Sequence, residues 1–169
     1  MKRPFILLAA VVIAALLLIT ALRWRSAEER GAAAVDEDAA KLRVRTFWAA
    51  YNHANELRSQ GKFREAAIAY RQSLELNPQH EDSLYYLGTS HYELGEYSEA
   101  AATLRKMLEL NPQSARAWSQ LGNTLSVLAP GAPADFEEAR RAYQHNVEIN
   151  REQSGPFLRL GLLDLNQGH

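Results

Sequence analysis

The sequence predicts an all-α fold: an α-solenoid of about three and a half helix-turn-helix repeats behind a single N-terminal transmembrane helix. Two observations predict it. The hexapeptide Leu-Glu-Leu-Asn-Pro-Gln stands at 74–79 and again at 108–113, an offset of 34 residues. Phe5 to Leu22 is an unbroken run without charge, with Thr20 its only polar member. Composition bounds the rest. The chain has 169 residues, 47% apolar and 23% charged, with a net charge of −1. That suits one domain with an additional segment, and gives no bulk electrostatic reason to expect a nucleic-acid partner. The absence of cysteine excludes disulfides, a thiolate nucleophile and Cys-ligated metal.

The amino-terminal element is read first. At ~1.5 Å per residue a helix over 5–22 spans roughly the hydrocarbon thickness of a bilayer, and it has no polar stripe to face a soluble surface. Met1-Lys2-Arg3 precedes it and Arg23-Trp24-Arg25 follows it directly, where a signal-peptidase site would prefer small neutral residues. Residues 1–25 are therefore expected to be an uncleaved anchor contacting the lipid bilayer through 5–22, with a cleaved signal peptide as the alternative. A short basic amino terminus favours export, giving a single-pass protein whose soluble part is extracytoplasmic (periplasmic). The positive charges beyond the run leave a cytoplasmic orientation open.

Residues 26–45, small, charged and Ala-rich, read as a linker or leading helix, with a break at Gly31 and N-caps at Asp36 or Asp38. From 46 onward the period governs. Gly61 corresponds to Gly95, Phe63 to Tyr97, Ala66 to Ala100, Tyr70 to Leu104, and Asn77-Pro78 to Asn111-Pro112. The units are 47–80, 81–114, 115–153 and a partial 154–169. Each would pair two helices of ~12–15 residues, and none could bury its apolar face without a neighbour. Gly61 and Gly95 end first helices in the left-handed region; Pro78 and Pro112 end second helices. The third unit carries an insertion, Ala129 to Ala134, containing two prolines and a glycine. Asp135-x-x-Glu138 reads as a capping box restarting the helix after it.

These positions resemble the tetratricopeptide repeat family, in a membrane-anchored bacterial-type form. The second unit carries Leu84, Leu87-Gly88, Gly95, Tyr97, Ala100, Leu104 and Pro112, with His91 where the family prefers Tyr. The third opens with Trp118 and Leu121-Gly122. The first keeps Ala54, Phe63, Ala66, Tyr70 and Pro78, and departs at Ala50 and His53. The fourth shows Phe157, Leu160-Gly161 and Gly168. The resemblance covers roughly 47–169 and implies a right-handed solenoid whose concave groove binds a protein or peptide.

The family's groove-lining positions are the second, fifth, ninth, twelfth and thirteenth of each first helix. Carried across, they imply a binding groove of Trp48, Tyr51, Asn55 and Arg58, then Tyr85, Thr89 and Tyr92, then Arg116 and Asn123. Ser59, Asp82, Glu93, Ser119, Ser126 and Val127 stand at the remaining such positions. Asn55, Thr89 and Asn123 would bond the backbone of the bound segment, whereas Tyr86 points toward packing. Trp48 and Tyr51 fit equally well as packing against the linker helix. Some family members clamp a partner's terminal carboxylate. Asn55 and Arg116 match that pattern, but Tyr51, Tyr86 and Gln120 depart from it, so the resemblance does not carry that ligand over.

No His spacing matches a metal motif, no Gly-x-Ser-x-Gly or phosphate loop occurs, and no catalytic residue, metal or cofactor is expected. His80-Glu81-Asp82 reads as a solvated turn opening a helix. Leu158, Leu162 and Leu165 would leave the last helix apolar on its outer side, a docking face for another protein or a copy of this chain, so homo- or hetero-oligomers are both open. Two functions follow: a non-enzymatic membrane-tethered scaffold that binds in its groove, or an accessory structural subunit of a membrane complex held by its span and its last helix.

Overall fold

The computed structural model describes residues 3–128, 133–151 and 154–166. Among these, the elements are α1 (Arg3–Ser59), α2 (Phe63–Leu76), α3 (Glu81–Glu93), α4 (Tyr97–Leu110), α5 (Ala115–Leu128), α6 (Pro133–Ile149) and α7 (Ser154–Asn166), with no strand. The chain divides into two compact units, Met1–Val44 and Arg45–His169.

The first unit is the leading part of α1. The helix does not break at Gly31, and neither Asp36 nor Asp38 opens a new one. One glycine in a helix interior costs only ~1 kcal/mol, which an Ala-rich flank and i,i+4 pairs readily offset. Arg25 meets Glu29 at 3.1 Å and Lys41 meets Glu37 at 2.7 Å. The expected membrane span requires correction. Among the described residues, no helix is long and apolar enough to cross a membrane. The side chains of 5–15 and 17, on which that expectation rests, lie outside the described residues. The expected lipid contact through 5–22, the single-pass membrane location and the extracytoplasmic placement lose their support with it.

The second unit is a stack of helix pairs. The end of α1 pairs with α2, α3 with α4 and α5 with α6, and α7, the last helix among the described residues, repeats the first-helix register. Gly61 and Gly95 take φ of 74° and 75°, the left-handed corner that closes each first helix without a Cβ penalty. The small residues of the second helices, Ala66, Ala100 and Ala139, are wholly buried. The glycines opposite them do more than allow close approach. A Cβ on Gly88 would meet Leu104 Cγ at 2.9 Å, and one on Gly122 would meet Tyr143 Cε1 at 2.6 Å. Each glycine is thus a slot filled by a large side chain from the partner helix.

One apolar cluster joins Ala54, Ala66, Tyr70 and Leu87, and a second joins Leu104, Met107, Leu121, Leu125 and Tyr143. Leu74 packs against both, so the core runs on from pair to pair. Residues 129–132 of the insertion lie outside the described residues. The expected capping box is not formed, because α6 already begins at Pro133, a residue suited to a first helical position. That leaves Asp135 inside the first turn, where its charge suits the dipole. Glu138 is used elsewhere: its carboxylate accepts two bonds from Arg105 of α4, at 2.8 and 2.7 Å. This bidentate pair lowers the Glu138 carboxyl and raises Arg105.

Candidate functional site

The first helix of each pair contributes a row of side chains at equivalent register. In the first pair, Tyr70 projects from α2 towards Asn55 of α1, and its hydroxyl donates to Asn55 Oδ1 at 2.7 Å while accepting from Arg58 Nε at 3.2 Å. Burial pushes Tyr70 up to about 12, although the Arg58 hydrogen bond works against that rise. The third pair repeats the device: the Tyr143 hydroxyl donates to Asn123 Oδ1 at 2.9 Å, and burial raises Tyr143 as well. In the second pair Leu104 replaces the tyrosine and Thr89 replaces the asparagine, and the Thr89 hydroxyl turns back to donate to Tyr86 O at 3.0 Å. Both carboxamide oxygens are therefore engaged, which fixes the orientation of the Asn55 and Asn123 side chains.

Two arginines lace neighbouring pairs together. Arg58 lies over the Tyr86 ring at 4.3 Å, and Tyr86 stacks on Tyr70 at 5.9 Å. Arg116 lies over the Tyr85 ring at 4.6 Å and forms an ion pair with Asp82. Burial works against the Arg116 charge, but Asp82 outweighs it and holds the guanidinium above its usual value. Burial likewise raises Tyr85. Tyr86 is a packing residue, as its register implied; Tyr85 is half covered by the chain's own arginine.

At the amino-terminal end Trp48, Tyr51 and Phe47 surround the His80 ring, at centroid distances of 6.0, 4.8 and 4.8 Å. His80 was expected to be solvated. Instead it is half-buried and caps α3, its Nδ1 accepting from Ser83 N at 3.2 Å. Trp48 remains 48% exposed, enough ring for a partner to cover.

The open space lies further along. Tyr92 of α3, Asn123, Ser126 and Val127 of α5, and Arg159 and Leu162 of α7 line a cavity of about 440 Å³, floored by Tyr143 and Leu163. Arg116, Ser119, Asn146, Asn150 and Arg159 line a second of about 480 Å³. Arg159 borders both and donates to Asn123 Oδ1. A third space of about 740 Å³ involves α2, α3 and α4, with Arg71, Pro78, Leu84 and Lys106 among its lining. Among the described residues, no group of three or more His, Asp or Glu could hold a metal ion.

Sequence reasoning missed Arg159, Asn146 and Asn150, and did not count Leu162 among the groove residues. The signal was available: the unit register, carried through the insertion, puts Leu158, Leu162 and Leu165 at the fifth, ninth and twelfth positions of their helix. These are the positions of Tyr85, Thr89 and Tyr92 in α3. Leu162 accordingly meets Tyr92 and Asn123 across one cavity.

Comparison with known proteins agrees with this architecture. Residues 51–118 match the model of the tetratricopeptide repeat family. No curated protein matches the chain. Among solved structures, the first TPR of Spaghetti (RPAP3), bound to an HSP90 peptide, superposes with a TM-score of 0.67 at 18% identity, over 74% of this chain and 95% of that one. The Sgt2 TPR domain from Aspergillus fumigatus gives a TM-score of 0.63 at 19% identity, over 72% and 78%. The MamA protein gives 0.66 at 24% identity, over 73% and 64%. At these identities the likeness is one of fold.

Proposed function

From a chain that carries tetratricopeptide repeats over 51–118, we propose a non-enzymatic scaffold that holds a peptide segment of a partner protein in its concave groove. One observation supports this most: side chains from three successive first helices, Tyr92, Asn123 and Leu162, converge on a single open cavity. A wall of aromatic, amide and apolar groups suits a peptide, whose backbone needs donors and whose side chains need apolar area. The Asn123 amide group, its oxygen already taken, has donors to offer a peptide carbonyl. A structural neighbour seen with an HSP90 peptide supports the same kind of ligand.

Within this reading the contacts divide. Tyr92, Asn123, Ser126, Arg159 and Leu162 form the principal site. Trp48 and Tyr51 extend it at the amino-terminal end, and Leu158 and Leu165 at the carboxy-terminal end. Asn55, Arg58, Tyr85, Thr89 and Arg116 hold the intervening wall in shape.

The test uses peptides selected from a random display library against the wild-type chain. The double change Tyr92→Ala with Leu162→Glu removes the α3 aromatic and the α7 apolar contribution to the cavity without touching the Tyr143–Asn123 bond. We expect at least tenfold weaker peptide binding, about 1.4 kcal/mol, with an unchanged helical circular-dichroism spectrum. Undiminished affinity in the folded double variant would eliminate the groove as the site.

A further inference from the structure

The junction of α4, α5 and α6 is closed twice over. Arg105 of α4 makes its bidentate pair with Glu138 of α6, and Trp118 of α5 stacks on His145 of α6 at 4.6 Å. One unit earlier the same registers hold Arg71 of α2, Glu99 of α4, Leu84 of α3 and Lys106 of α4. There neither closure is made. Arg71 and Glu99 form no ion pair among the described residues, and Leu84 has no ring to lay on Lys106. All four line the open space of about 740 Å³. Its floor departs from the pattern as well. Leu84, Leu87 and His91 lie three and four apart on one face of α3, turned from the groove residues Tyr85, Thr89 and Tyr92. His91 stands where α1 has Leu57 and α5 has Leu125, and it is only 4% exposed. Its Nδ1 lies 2.6 Å from Glu96 Oε2, and the other oxygen of that carboxylate faces Arg64 of α2 at 3.7 Å. A carboxylate only accepts, so Nδ1 holds the proton and Nε2 of the neutral ring is an acceptor. Nε2 has no partner among the described residues. A buried ring nitrogen in place of leucine is costly unless something bonds to it.

We propose that this trough between α2 and α4 seats a tyrosine of a partner protein, carried on an extended segment with one acidic and one basic neighbour. Three features specify that ligand. Leu74, Leu84 and Leu87 offer apolar area to a ring. His91 Nε2 offers an acceptor to the phenol hydroxyl, whereas phenylalanine would leave the nitrogen unpaired. The rim carries both signs on both walls: Arg71 and Glu75 on α2, Glu99 and Lys106 on α4. None of the four is paired among the described residues, so an incoming carboxylate and an incoming ammonium each find a counter-charge. Glu75 lies one turn beyond Arg71 and Lys106 two turns beyond Glu99, which spreads the charges over roughly 10 Å. That is the length of about three extended residues, more than a free amino acid covers. The site is separate from the groove, since α3 turns a different face to each.

The probes are two acetylated, amidated pentapeptides, Ala-Asp-Tyr-Lys-Ala and Ala-Lys-Tyr-Asp-Ala, which present both charge orders. Titrated into the isotope-labelled wild-type chain, at least one should saturably shift the backbone NMR signals of Leu87, His91 and Lys106. Replacing its tyrosine by phenylalanine should weaken binding about fivefold, the worth of one hydrogen bond. In the His91→Leu chain, which restores the leucine of the neighbouring units, both versions should bind alike. Arg71→Gln with Glu99→Gln should weaken both versions about threefold. The Tyr92→Ala, Leu162→Glu variant should bind the probes as the wild type does, and His91→Leu should keep the groove peptides, so the two sites fail separately. Absence of shifts with both charge orders, a tyrosine preference that survives His91→Leu, or binding of N-acetyltyrosinamide as tight as that of the pentapeptide would overturn the proposal.

Discussion

The pairs α3–α4 and α5–α6 and the lone α7 present the same Leu-Gly dipeptide to opposite surroundings. At Leu87-Gly88 and Leu121-Gly122 the missing Cβ makes room for a large residue of the following helix; at Leu160-Gly161 the same space is empty. A glycine at this position is thus costly to the helix and useful only when something enters the slot.

Substitution at the three glycines is the most direct way to break that comparison. Gly122→Ala should destabilise most. The new Cβ would sit 2.6 Å from the Tyr143 ring, which the bond to Asn123 holds in place. Overpacking of about 3 kcal/mol less ~1 kcal/mol of gained helix propensity leaves a net loss of about 2 kcal/mol, readable by urea titration. Gly88→Ala should cost about half as much, because its obstacle is the flexible end of Leu104. Equal losses at the two sites would show that ring rigidity plays no part.

The tyrosines sharpen the comparison through pH. Folding lifts Tyr70 from 10.0 to about 12. Between those values the folded chain keeps a proton that the unfolded chain releases. Stability is therefore complete below pH ~10 and declines as pH rises towards 12. After discounting for partial solvation the decline is under about 1 kcal/mol. Tyr70→Phe should flatten it, measured by urea titration at about pH 9 and about pH 11. The smallest effect belongs to Gly161→Ala. It should raise stability by about 0.5 kcal/mol, and a loss there would mean that the slot is filled.

Much of this was legible in the sequence. The offset between the two LELNPQ copies located the pairs, and Gly61 and Gly95 marked their corners because left-handed backbone leaves few other choices. The groove register could be carried across, but contact energetics could not. Nothing local to Tyr85 announces that Arg116 covers it, and His80 reads as polar surface until Phe47, Trp48 and Tyr51 close around it. The Asn–Tyr bonds did leave a trace. Asn55 with Tyr70 and Asn123 with Tyr143 vary together between units, while Thr89 and Leu104 replace both members at once. The expected span over 5–22 rested on composition alone. Among the described residues no helix is long and apolar enough to cross a membrane.

The ring stack of Trp118 on His145 has a practical consequence. Its indole Nε1 donates to Pro112 O at 2.8 Å, so its emission depends on the packing of the third pair, whereas Trp48 reports on the first. With Trp24 and one of the other two exchanged for Phe, each single-tryptophan chain becomes an optical reporter of one end. Unravelling from either end of a linear array would then be seen as a colour change that comes earlier in one of the two variants than in the other.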